Sequence, residues 1–274
     1  MGANHGSGAL PFFMAWQSLR SSASLRKSRR RLPCRTLSIV IPTRNEEAFI
    51  ERCIRSVSRS PHVREIIVVD AASGDKTRFL ARRAGARVLV HDRPIECGGG
   101  RGGQIKAGID ASSGDVIAVV HADTLLSEYD INRMMEILNR RTDIIGGAVG
   151  CRFDSHGFRY RLLELANDFR AAFLGISFGD QVQFFRRNPV VSHDLFPDIP
   201  IMEDVELSIR LRRLGRSIYL FGNAKASPRR WNRIGYKNAV WVIINVITYL
   251  VRRMNKQSDL FRVYRQYYES HKDC

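Results

Sequence analysis

The chain lacks an uninterrupted apolar run of the roughly 18 residues that a bilayer-spanning helix needs. Its most apolar segment, Ala239 to Val251, is broken by Asn245 and Thr248 and ends at Arg252 and Arg253. Cysteine is sparse: Cys34, Cys53, Cys97, Cys151 and Cys274 are odd in number, scattered, and form no Cys-x-x-Cys pair. A disulfide framework and a structural zinc site are therefore not expected, and a reducing, cytoplasmic setting is. Neither G-x-G-x-x-G after the first β-like run nor G-x-x-x-x-G-K-[ST] occurs, so hydride transfer and P-loop chemistry lose their main support. No helix-turn-helix, zinc-finger or RNP-like pattern is present, so nucleic acid is not an expected partner.

What is present is a folded composition: 274 residues, 44% hydrophobic and 26% charged, enough for one large domain or two small ones. The net charge of +17 is uneven. Residues 1–36 carry seven basic side chains and no acidic one, which leaves +10 for the remainder. Such a Ser- and Arg-rich stretch suits a basic disordered tail or an organelle transit peptide. A secretory signal fits less well, because the apolar run Leu10 to Trp16 precedes the charges.

From Leu37, short β-rich apolar runs alternate with amphipathic stretches, the rhythm of an α/β protein with a mostly parallel central sheet flanked by helices. Strands are expected at 37–42, 65–70, 86–91, 115–121, 144–153, 181–186 and 217–221. Helices are expected at 45–59, 75–84, 103–111, 128–141, 158–173 and 204–214. The segment from Tyr236 to Arg253, followed by a basic-aromatic tail to Cys274, reads either as an amphipathic helix on a membrane surface or as a core-packed terminal helix.

In an open parallel sheet, ligands bind beyond the carboxyl ends of the strands. Here those ends are polar: Pro42, Thr43, Arg44, Asn45 and Glu46 after the first, Asp70 after the second, His121, Ala122 and Asp123 after the fourth. A lone Asp after a strand usually caps a helix or forms a turn, but three such ends together point to a site. The loop Gly98 to Gly103, with Arg101 inside it and a helix after it, could present N–H groups and a guanidinium to a phosphate. His121 and Asp123 can face one ligand, and one Asp beside a diphosphate is a usual setting for Mg²⁺ or Mn²⁺. Glu203 and Asp204 open a helix, where adjacent acids commonly complement the dipole.

Several segments in order, VIPTRNEE (Val40 to Glu47), IIVVDAASGD (Ile66 to Asp75), GRGGQIKAG (Gly100 to Gly108), GDVIAVVHADT (Gly114 to Thr124), IPIMEDVELSIRLRRLG (Ile199 to Gly215) and SPRRW (Ser227 to Trp231), resemble glycosyltransferase family 2 enzymes of the GT-A fold. The His-Ala-Asp-Thr form is most similar to the group called radical-SAM/selenodomain-associated transferase 2. The likeness implies a Rossmann-like nucleotide-binding half plus an acceptor half over 37–235. It further implies an inverting glycosyltransferase that takes a sugar from a nucleotide-diphosphate-sugar donor, uses Mg²⁺ or Mn²⁺, and has an acceptor that the sequence does not name.

Carried onto matching positions, the resemblance implies that Pro42, Thr43, Asn45, Glu46, Asp70 and Ala122 line the donor pocket, and that Arg101, Gln104 and Lys106 approach the nucleotide and its phosphates. Asp123, with His121, would hold the metal. Asp204, in its pair with Glu203, would be the catalytic base, and Arg229, Arg230 and Trp231 would contact diphosphate or acceptor. Two positions depart from the family pattern: Ala71 stands where a second Asp is usual, and His121 stands for the first Asp of the DXD motif, so weaker metal affinity is expected. Two other readings remain: a sugar-1-phosphate nucleotidyltransferase, and a catalytically inactive protein that binds a nucleotide sugar or an anionic surface.

Overall fold

The computed structural model describes residues 34–229 except 156, together with Ile244, Val246, Thr248 and Tyr249. Residues 1–32 and 33–274 separate into two units, and the described residues belong to the second. The chain builds β1 (Leu37–Thr43), α1 (Ile50–Val57), β2 (Val63–Asp70), α2 (Thr77–Arg83), β3 (Arg87–Val90), α3 (Gly100–Asp110), β4 (Val116–Val119), β5 (Thr124–Leu125) and α4 (Glu128–Arg140). It continues with β6 (Ile144–Phe153), α5 (Phe158–Phe169) running into a π-helical turn (Arg170–Leu174), β7 (Val182–Arg186), α6 (Arg187–Ser192), α7 (Glu203–Leu214) and β8 (Arg216–Ala226).

All eight strands form one sheet in the order β3-β2-β1-β4-β7-β6-β8-β5. The half from β3 to β4 is parallel, as the alternation of strand and helix predicts. The other half is mixed: β7 runs antiparallel to β4 and β6, and β5 antiparallel to β8, while β6 and β8 are parallel, so the sheet as a whole is mostly parallel, as expected. Antiparallel neighbours need no helical crossover, which is why the helical rhythm fades after Arg140.

Both faces of the sheet are covered. Side chains alternate along β1, so Ile39 and Ile41 join a core with Ile50 and Ile54 of α1 and Ile131, Met134, Met135 and Leu138 of α4. Val40 joins a second core with Ile105 and Ile109 of α3 and Leu207 and Leu211 of α7. Strands covered on both sides read as continuous apolar runs, as LSIVIP and EIIVVD do. Gly108 sets how close α3 lies, since a methyl there would run into Val40 and Val69.

Three local differences have physical causes. The first helix starts at Ile50 and not Asn45, because Asn45 is left-handed (φ 55°) and the N–H groups of Asn45, Glu46 and Glu47 donate to Ser73 Oγ (2.8 Å), Thr77 Oγ1 (2.7 Å) and Asp75 Oδ2 (3.1 Å). A residue in the left-handed region interrupts the helical run, so the helix opens only beyond it. The last strand extends to Ala226 because it stays paired with β6 as far as Phe153 and takes β5 on its other side at Lys225 and Ala226. At the other end, Arg35 and Thr36 donate their backbone N–H groups to Asp115 Oδ2 (2.8 and 3.0 Å), so these residues of the expected tail belong to the folded body.

Residues 1–33 of that tail lie outside the described residues, as does most of the expected C-terminal helix. Its described residues favour the core-packed alternative. Val246 and Tyr249 are buried with Ile201, Met202 and Val205, and Tyr249 Oη donates to Glu206 Oε2 at 2.8 Å. Among the described residues, no helix is long and apolar enough to cross a membrane.

Candidate active site

Because β1, β2 and β4 are parallel, their carboxyl ends meet at one edge of the sheet, and the loops after them share it. The first two loops brace each other. Besides the amide contacts above, Asn45 Oδ1 accepts from Gly74 N (3.0 Å) and Glu47 Oε2 from Lys76 N (3.0 Å). Pairing of Thr124 with Ala226 brings the end of β8 to the turn after β4, where Ser227 N donates to Asp123 O at 3.1 Å.

Arg229 then reaches over the turn. Its Nε lies 3.2 Å from Asp123 Oδ2, its Nη2 lies 2.5 and 2.6 Å from the two Glu46 oxygens, and its Cζ sits 4.4 Å from the centre of the Phe49 ring. Opposite, α7 delivers Glu203 and Asp204 from its first turn, after Met202 in a left-handed conformation (φ 65°). Asp204 Oδ2 accepts from Gly179 N at 2.6 Å and lies 3.4 Å from Arg101 Nη2, while Oδ1 accepts from Val205 N at 2.8 Å. Arg101 Nε pairs with Glu203. Burial foremost, with the Asp204 charge beside it, lifts the Glu203 carboxyl above its ordinary value against the pull of Arg101. Its second oxygen is buried with no hydrogen-bond partner.

Gly179 joins the two sides, and the sequence reading missed it. A methyl there would stand 2.9 Å from His121 Cε1 and Nε2 and 3.2 Å from Arg101 Nη1. The polar break Gly-Asp-Gln just before an apolar strand was the available signal. The loop is steadied from α5: Asn167 Nδ2 donates to Asp180 Oδ2 (3.1 Å), and the Arg170 guanidinium stacks 3.3 Å from the Phe178 ring centre.

The structure thus brings together Glu46, Arg101, His121, Asp123, Glu203, Asp204 and Arg229. Asp70 is nearby but engaged within its own turn, accepting from Ser73 N (2.9 Å), Ser73 Oγ (2.5 Å) and Thr43 Oγ1 (3.3 Å). Pro42 and Ala122 are buried backbone neighbours of the site. Two side chains expected to approach the phosphates make other contacts. Gln104 is buried, and its amide donates to Thr43 O (2.9 Å) and Val69 O (2.8 Å), tying β1 to β2. Lys106 pairs instead with Asp194 (3.2 Å) and Asp110 (3.7 Å). Arg230 and Trp231 lie outside the described residues.

The glycine-rich loop is built for close packing. A side chain at Gly102 would strike the Ile199 carbonyl, and one at Gly103 the Gly98 carbonyl and His91 Nε2. Those glycines let the start of α3 slide under the 198–203 loop, which places Arg101 against the acids of α7.

Among the described residues, no three His, Cys, Asp or Glu side chains gather as a complete cation site. The donor set nonetheless suits a hard cation that shares a ligand sphere with phosphate oxygens. Asp123 offers a carboxylate at the site's mouth, and such cations commonly take one or two protein carboxylates beside a diphosphate.

Residues 38–195 match the family model described as Glycosyl transferase family 2, and the chain belongs to that family. Glucosyl-3-phosphoglycerate synthase of Mycobacterium tuberculosis is 32% identical over 123 residues, which are 43% of this chain and 37% of that protein. A crystal structure of that synthase with Mn²⁺, uridine diphosphate and phosphoglyceric acid aligns at 26% identity with a TM-score of 0.49, over 70% of this chain and 69% of that one. The probable glycosyltransferase YdaM of Bacillus subtilis is 25% identical over 235 residues, covering 77% of this chain and 55% of YdaM. The crystal structure of S. aureus TarS overlays with a TM-score of 0.55 at 16% identity, over 70% of this chain and 36% of that one, a likeness of fold. The aligned stretches span 37% and 55% of the two curated relatives' lengths. The α/β sheet with its parallel and mixed halves is the GT-A fold.

Proposed function

We propose that this protein is an inverting glycosyltransferase, in which residues 37–235 move a sugar from a nucleotide-diphosphate-sugar donor to an acceptor hydroxyl. The observation that carries the reading is Asp204, fixed at a helix start by Gly179 N–H and Arg101 and set across Gly179 from the His121–Asp123 turn. Membership of the family, and a relative named as a glucosyl synthase, support it.

In this reading, Asp204 accepts the proton of the acceptor hydroxyl as that oxygen attacks the anomeric carbon, and the bond from that carbon to the diphosphate breaks. Arg101 and Glu203 orient Asp204. Asp123 holds a divalent cation, Mg²⁺ or Mn²⁺, through its carboxylate, and Arg229 turns from Asp123 and Glu46 toward the arriving diphosphate. Bound there, the cation supplies neutralisation of charge on the leaving diphosphate. His121 in place of an acid leaves one fewer anionic ligand and a weaker site.

The test is thermal unfolding of the full chain with UDP-, GDP-, dTDP- and ADP-sugars, each with and without Mn²⁺, because a ligand that binds the folded state raises its melting temperature. A metal-dependent rise with one nucleotide is expected. A rise with no subsequent donor turnover would favour the inactive binder, and no rise with any donor would overturn the reading.

A further inference from the structure

A cavity of about 150 Å³ lies between the π-helical turn that ends α5, the last turn of α7 and the strands β6 and β8. A volume on this scale holds a molecule about as large as benzene. Its wall includes Gly175, Ser177, Arg212, Ser217 and Tyr219. Small residues make the space: Gly147 and Ala148 of β6 line it, and Gly175, left-handed at φ 65°, lets Arg212 lie against the backbone. A methyl at Gly175 would stand 2.8 Å from Arg212 Nη1. The π turn that forms one side is a rare departure from the α-helix, and such turns gather at functional sites.

Arg212 sets the chemistry. Its Nη1 donates to the Leu174 carbonyl, and the guanidinium pairs with no acid among the described residues. Nε and Nη2 remain as donors. Ser217 Oγ likewise has no partner among the described residues, and no Asp or Glu is among those that line the cavity. The other polar groups are committed. Ser177 Oγ accepts from Gln183 Nε2 (2.7 Å) and shares a hydrogen bond with Ser208 Oγ (3.0 Å), and Tyr219 Oη donates to Asp168. What is left is a guanidinium and a hydroxyl with no counter-charge, a donor set that takes an oxyanion.

The cavity stands apart from the transfer site. Arg212 follows Asp204 by eight positions on α7, about 12 Å along the helix axis. It still bears on the same machinery. Ser177 lies two residues before Gly179, whose N–H holds Asp204, and Ser208 Oγ accepts from Ser177 N (3.2 Å) while donating to Asp204 O (2.8 Å). An occupant resting on Gly175 and Ser177 therefore meets the loop that fixes Asp204.

We propose that this cavity binds a small oxyanionic ligand, a phosphate or carboxylate group held by Arg212 and Ser217, and that its binding steadies the loop from Gly175 to Gly179. The site goes beyond the transfer reading and does not depend on it, because neither Arg212 nor Ser217 belongs to the catalytic or donor-binding set.

The test is thermal unfolding of the full chain in potassium phosphate and in potassium acetate, each against potassium chloride at equal ionic strength and without divalent cation. Wild type, Arg212→Gln and Ser217→Ala are compared. Chloride accounts for screening, and Arg212→Gln for the general stabilisation that phosphate gives folded proteins. Arg229→Ala, changed at the donor site, reports any anion bound there. Expected is a rise in melting temperature with at least one of the two anions in the wild type and in Arg229→Ala, cut by at least about half in Arg212→Gln and lowered in Ser217→Ala. Which anion acts identifies the group. Should Arg212→Gln fail to fold, Ser217→Ala carries the comparison. Amide hydrogen exchange across residues 175–179 should slow several-fold with that anion in the wild type and not in Arg212→Gln. Equal rises in the wild type and Arg212→Gln would overturn the proposal, as would a rise that Arg229→Ala abolishes, or no rise beyond that in chloride. Unchanged exchange at 175–179 would overturn the effect on the loop.

Discussion

Arg229 closes on Asp123, with Nε 3.2 Å from Oδ2, and the same guanidinium holds both oxygens of Glu46. A cation arriving at Asp123 must therefore compete with an arginine already there, whereas a diphosphate arriving with it offers that arginine a new partner. Metal and nucleotide binding should in consequence be coupled through one side chain.

Replacing that side chain separates the two events. Arg229→Ala should tighten Mn²⁺ binding in the absence of nucleotide by about two- to fivefold, the scale of a partly exposed ion pair, and weaken nucleotide binding in its presence. Calorimetric titration in both conditions checks this. Weaker metal binding without nucleotide would show that Arg229 does not compete for Asp123.

Gly179→Ala tests the joint between the two halves of the site. The new methyl would press on the His121 ring and the Arg101 guanidinium, displacing the group that holds Asp204. Small displacements of positioned groups can cost on the order of 100-fold in rate. Turnover of the donor should fall at least about tenfold, with a melting temperature close to that of the wild type.

Gln104→Leu separates a structural from a ligand-binding role. Loss of its amide leaves the buried carbonyls of Thr43 and Val69 without that donor, and stability should fall by about 1–3 kcal/mol. Chemical denaturation measures this. A variant of unchanged stability with weakened nucleotide binding would return Gln104 to the donor site.

Acid should loosen the N-terminal edge of the body. Burial pushes the Asp115 carboxyl upward, but hydrogen bonds from the Arg35 and Thr36 backbone and the Thr36 hydroxyl outweigh it and hold the group below its ordinary value. The folded state then binds fewer protons than the unfolded one, so this stability is present at neutral pH and is lost as pH falls below about 4. Asp115→Asn should lower stability at neutral pH and flatten its dependence on pH in the acid range. Unfolding curves for both proteins over that range test it.

The parallel half of the fold was legible because strands buried on both faces leave continuous apolar runs, and β1 and β2 follow such runs closely. The mixed half was not, because antiparallel pairing depends on partners far along the chain, and the two-residue β5 leaves no periodic trace. At the site, Asp123 and Asp204 could be picked out as acids at a strand end and a helix start. The Gln104 amide and the Lys106 ammonium could not be placed by type alone, since the same groups serve carbonyls or surface acids as readily as phosphates. Gly179 was hidden because its role is the absence of a side chain where His121 and Arg101 crowd, a constraint set by two segments remote in sequence.

The central claim is that Asp204 takes the proton during transfer. The most direct measurement compares wild type and Asp204→Asn for donor affinity by calorimetry and for single-turnover cleavage of the bound donor in the presence of Mn²⁺. The account predicts affinity within about twofold, since Asp204 is not assigned to donor binding, and cleavage slowed by at least about 100-fold, the scale of a lost general base. Cleavage at the wild-type rate by Asp204→Asn with intact donor binding would contradict it.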